Sequence, residues 1–222
     1  RGGHEGIEVA QTATAAAILS HQFPDSTKNG WHHIALSRDE AGSGRLYVDG
    51  ELTGIGSLPP MPEANELLLG ARTEAPGTWA GYLDELRIYH RRLDELDLGE
   101  VIIGTASSQT PGLEYYWKMD EEIGIASFDL LRRNKLYFCG TTFDLDRPKV
   151  RTMGKTNDVG QYRIEAASYG TGTTFVAEPM KDFYMYRALR FVRDEADHAT
   201  LPDFALTPKA TLEMWVYSAG PD

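Results

Sequence analysis

Trp31-His32-His33-Ile34-Ala35-Leu36-Ser37-Arg38-Asp39, followed by Arg45-Leu46-Tyr47-Val48-Asp49-Gly50-Glu51-Leu52, is the stretch on which the fold of this chain turns. Two runs of strand composition flank the polar link Glu40 to Gly44. The second run meets Asp49-Gly50, a dipeptide that tolerates the positive φ angles of a type I′ hairpin turn. A tight turn after Val48 sends Glu51 to Thr53 back alongside Leu46 to Val48, so the stretch predicts an antiparallel three-stranded meander. Side chains alternate along a strand, which puts Trp31, His33 and Ala35 on one side and His32, Ile34 and Leu36 on the other. The adjacent histidines therefore point to opposite faces and cannot share a metal; each reads as a packed or edge residue.

A third run, Tyr82 to Tyr89, alternates again and sets Tyr82, Asp84, Leu86 and Ile88 on one face. Together the words WHHIALS, LYVDGEL and GYLDELRIYHRRLDELDL (Gly81 to Leu98) resemble the laminin-G-like jelly roll of the concanavalin A-like lectin/glucanase group. The resemblance implies an all-β jelly-roll sandwich, and a fold alone does not fix a function. A bare carboxylate in an apolar row is costly, so Asp84 needs hydrogen bonds or a cation. The resemblance puts it in the motif G-x-h-D-E-h, where it either ties a loop or ligates Ca²⁺. It also puts Asp84 and Asp49 near the sandwich rim, and these two acids are the predicted ligands of at most one weak Ca²⁺ site. Asp94 reads as the cap of a short helical turn, with Asp97 completing an imperfect capping box.

Composition narrows the function classes. The chain has 222 residues, 41% of them hydrophobic, which is enough for a real core in one large sandwich or two small domains. Its net charge of −11 repels phosphate backbones and anionic lipid, which argues against nucleic-acid and membrane-surface partners. No apolar run approaches the roughly 18 residues of a membrane helix. The single cysteine, Cys139, follows Tyr137 and Phe138 and reads as a buried thiol with no internal disulfide partner. The opening Arg1-Gly2-Gly3 is neither an initiator Met nor a signal peptide, and the chain reads as a processed piece.

Downstream of the helix cap the sequence predicts further modules. Ile103 to Gly112 is rich in Gly, Ser, Thr and Pro and reads as a linker. Leu113-Glu114-Tyr115-Tyr116-Trp117-Lys118-Met119-Asp120-Glu121 resembles the opening strand of a fresh laminin-G-like domain. Ala188 to Phe191, Ala199 to Phe204 and Ala210 to Val216 resemble the strands that follow it. Between these pieces, Gly154-Lys155-Thr156 with Gly160-Gln161-Tyr162-Arg163-Ile164 resembles the carboxypeptidase-regulatory-like, transthyretin-like small β-sandwich. The predicted layout is a jelly roll at 1–104, a linker at 105–112, the start of a second jelly roll at 113–138 and 186–222, and an inserted β-module at 139–185. Both ends look cut from a repeating array. If the last division is right, the ends of the insertion lie together, and the Trp117 strand shares a sandwich with the Met214 strand. The driver is the apolar face Tyr115, Trp117, Met119, which needs Leu212, Met214 and Val216 opposite it.

Catalytic patterns do not emerge. Retaining glucanases need two carboxylates about 5 Å apart, and the nearest match, Glu195-Ala196-Asp197-His198-Ala199-Thr200, ends in Thr. No G-x-S-x-G elbow, HExxH helix or P-loop occurs. Tyr115, Tyr116, Trp79 and Trp215 are the aromatics able to stack on sugars, although strand aromatics more often fill cores. The module mixture resembles that of large bacterial surface adhesins. It implies a non-catalytic extracellular segment that recognises glycan or protein ligands, with Ca²⁺ as the one cofactor to consider, or else a spacer.

Overall fold

A computed structural model describes residues 6–11, 15–24, 30–60, 66–70, 79–103, 109–119, 121, 126–131, 134–139, 142–144, 188–191, 197–202 and 206–218. Strands dominate, as the sequence predicts. β1 (Gly6–Val9) and β2 (Leu19–Gln22) pair with each other. β3 (Trp31–Arg38), β4 (Ser43–Val48) and β5 (Glu51–Ser57) form the expected meander. Asp49 and Gly50 take φ of 51° and 85°, the two positive values a type I′ turn requires, and Val48 faces Glu51 across it.

Next come β6 (Glu66–Leu69), β7 (Gly81–Tyr89) and α1 (Glu95–Ile103). Asp94 caps α1 as predicted. Its Oδ1 accepts the N–H groups of Leu96 and Asp97, each at 3.0 Å, while Asp97 Oδ2 accepts the Asp94 N–H at 3.1 Å. The remaining strands are β8 (Leu113–Trp117), β9 (Ala126–Phe128), β10 (Lys135–Cys139), β11 (Thr142–Asp144), β12 (Ala188–Phe191), β13 (His198–Pro202) and β14 (Ala210–Ser218).

Besides the β1–β2 pair, the described strands make two facing sheets. The larger runs β11-β12-β7-β14-β3-β4-β5, with β8 also on β7; the smaller runs β6-β13-β10-β9. The core between them holds Leu86, Ile88, Trp117, Met119, Leu189 and Phe191 from the larger side and Leu69, Leu136, Ala199 and Leu201 from the smaller. On the other face of the large sheet, Leu98 and Val101 of α1 pack with Ala35, Tyr47, Tyr89 and Tyr116.

This pairing corrects the predicted layout. The strands assigned to a second jelly roll complete the first: β14 lies between β3 and β7, matching Tyr217 to Trp31 on one side and to Tyr82 on the other. The expected apolar partnership holds, since Tyr115, Leu212, Met214 and Val216 pack on the cluster containing Trp117 and Met119. Its consequence differs, because residues 6–103 leave open the β3–β7 gap that β14 fills. The inserted module predicted at 139–185 lies mostly outside the described residues. Its proposed start is still too early, because β10 and β11 carry the sheets on through Asp144. Asp144 and Ala188 are direct strand partners.

Candidate functional site

The predicted single face of β7 is broken by an irregularity. The β14 register shifts between Glu213, which faces Arg87, and Trp215, which faces Asp84, and Glu85 takes φ of 55°. Leu86 and Ile88 therefore enter the inter-sheet core while Tyr82 comes to the opposite face, beside Trp31 and Tyr217. Asp84 is fully buried and accepts the Glu85 N–H at 2.9 Å.

Below that irregularity sits a buried ionic network on the α1 side. Arg87 Nη1 donates to Glu213 Oε1 at 2.9 Å, and Nη2 donates to Glu85 Oε2 and to Tyr116 Oη. The Tyr116 hydroxyl also donates to Glu85, and the Arg87 guanidinium lies 4.4 Å from the Tyr116 ring centroid. The second Glu213 oxygen is 2.6 Å from His33 Nε2. Burial pushes the Glu213 carboxyl up, but the Arg87 guanidinium and His33 outweigh it and hold it below its ordinary range. Burial pushes the Tyr116 hydroxyl above its usual range. Both glutamates are sealed from solvent and spanned by one arginine, so neither is free to act on a glycosidic bond.

The two histidines part as predicted. His33 meets Glu213 and the edge of Trp215, while His32 Nδ1 lies 2.7 Å from Asp49 Oδ2 with Phe23 stacked 4.1 Å away. Asp49 Oδ1 accepts the His33 N–H at 2.9 Å, so this acid fastens its own hairpin to β3. Asp84 faces Trp215 and Trp215 faces His33, beside which Asp49 sits. The two predicted Ca²⁺ ligands are therefore about three strand spacings, roughly 14 Å, apart. Ca²⁺–oxygen distances of roughly 2.4 Å prevent one ion from using both. Among the described residues, no group of three His, Cys, Asp or Glu side chains is placed to hold a metal.

The four aromatics singled out from sequence belong to the interior: Tyr116 and Trp215 are buried, and Tyr115 and Trp79 pack on the inter-sheet core. Besides the exposed Phe128 and Tyr137, the surface carries the half-buried Trp31, Tyr217 and Tyr82, side by side on β3, β14 and β7. Their rings close into a triangle with centroids 5.7, 5.9 and 6.1 Å apart, and each is half-buried. Arg190 of β12 faces Tyr82 directly and is exposed. Sequence reasoning placed Trp31 correctly beside His33 but missed the triangle, because Tyr217 fell in a segment assigned to another sandwich.

Comparison with known families gives a match. Residues 4–98 match a family model described as Concanavalin A-like lectin/glucanases superfamily. No curated protein and no solved structure matches the chain. Domains of this superfamily are typically binding modules, although some of its members are glycosidases.

Proposed function

We propose that this chain is a non-catalytic ligand-binding domain of a secreted or surface-attached protein, and that its ligand is a glycan held on the Trp31–Tyr82–Tyr217 platform. The observation that carries this reading is the triangle itself: three half-buried rings on adjacent strands of one sheet. Aromatic rings with a partly wet face suit the apolar faces of sugar rings, and their polar edges suit the hydroxyls. The lectin-like match of the first part of the chain supports the same class. Ca²⁺ has no part in this mode of binding. A glycan array probed with the whole chain, with and without EDTA, and with Tyr217→Ala tests it. Binding that survives EDTA and disappears in the variant is expected. Silence across the array would overturn the reading and leave a structural spacer.

A further inference from the structure

Arg190 is a charged neighbour of this platform. Three other arginines around this sheet pair with carboxylates: Arg87 binds Glu85 and Glu213, Arg91 binds Asp97 through two bonds at 2.8 Å, and Arg92 binds Asp39, while Arg38 donates to the carbonyls of Asp39 and Pro208. Arg190 makes no ion pair or hydrogen bond among the described residues, and it stands directly opposite Tyr82 at the edge of the triangle. The neighbouring Tyr217 makes ring contacts with Trp31 and Tyr82, and its side chain makes no hydrogen bond among the described residues.

We propose that Arg190 and the three rings form one subsite for an acidic saccharide, the rings stacking on the sugar face and the guanidinium holding the sugar carboxylate. This rests on the glycan reading above and names its ligand class. The chemistry follows from the geometry: a planar fork of N–H donors matches a carboxylate two bonds at a time, and an aromatic surface beside it takes the ring that carries that carboxylate. Neutral sugars would meet the rings but leave the guanidinium unanswered. The chain's overall charge of −11 repels anions at long range, so an acidic ligand needs such a local cation to bind at all.

The test is isothermal titration of the whole chain with a panel of carboxylated oligosaccharides (oligogalacturonate, oligomannuronate and oligoguluronate) and the methyl ester of each. Esterification removes the charge and keeps the ring. At least one acid should bind, its ester several-fold more weakly. Arg190→Gln should bring the acid down to the ester, and Tyr217→Ala should weaken both by about tenfold or more. Added salt should weaken the acid and spare the ester. Acid and ester binding equally, with Arg190→Gln unchanged, would overturn the acidic preference while leaving the glycan reading intact. Acid binding that ignores Tyr217→Ala and Trp31→Ala would overturn the subsite. Silence across the panel overturns the acidic subsite, and silence on the general array as well removes both readings.

Discussion

Glu213 joins two elements of the buried network on the α1 side of the large sheet. Its two oxygens hold Arg87 at 2.9 Å and His33 at 2.6 Å from within the central strand of the large sheet. Removing one member of a buried ion pair leaves the other charge without solvent or partner, which costs about 3–5 kcal/mol. Glu213→Ala should therefore lower stability by about that amount in chemical denaturation, far more than Asp97→Ala at the half-exposed Arg91 pair. The sign of the pH effect follows from the same group. The folded carboxyl titrates below its ordinary value of 4.5, so its contribution is fully present above that pH and is lost as pH falls through the folded-state value. Denaturation midpoints should thus be flat from neutral pH down to about 5 and drop below about 4.5, and Glu213→Gln should flatten the drop. An equal acid drop in Glu213→Gln would show that other carboxylates govern it.

At the scale of elements, the hairpin and the helix cap were legible because each is written in local chemistry. Asp49-Gly50 can adopt two positive φ angles, and Asp94 with Asp97 can close a cap, wherever the rest of the chain goes. β7 was legible only in part. Strict alternation placed Tyr82 with Leu86 and Ile88, and the shift near Asp84 and Glu85 undid it, since a single irregular residue exchanges the faces before and after it. No residue type announces that shift, because a buried glutamate at φ of 55° is held there by Arg87, two residues on, and by Tyr116, which arrives from β8. The aromatic platform depends on the stretch just before the shift. At Gly81, φ is 151° and an added Cβ would lie 2.0 Å from the Tyr217 carbonyl oxygen, so no side chain fits without parting β7 from β14. Gly81→Ala should therefore lower thermal stability and weaken glycan binding together, measured by calorimetry and titration on one preparation. Weakened stability with unchanged affinity would detach the platform from this strand contact.

For the whole molecule, the sequence revealed which segments want to be strands but not which partner each takes. The apolar alternation of Leu212, Met214 and Val216 matches any strand face of that pattern, and register between segments more than a hundred residues apart is set by global packing. That is why the strands from Leu113 onward read as a second unit, although they fill the first. The platform inherits this architecture: Trp31 and Tyr82 come from the stretch that matches the lectin-like family, and Tyr217 and Arg190 come from beyond it. Fold and site thus stand or fall on β14 lying between β3 and β7. The most direct measurement places a protease site within residues 109–112 of the whole chain, cuts it after folding, and weighs the product by native mass spectrometry. The pairing predicts that both pieces stay together as one complex with the mass of the uncut chain. Two pieces that part on cutting, each folded, would contradict it.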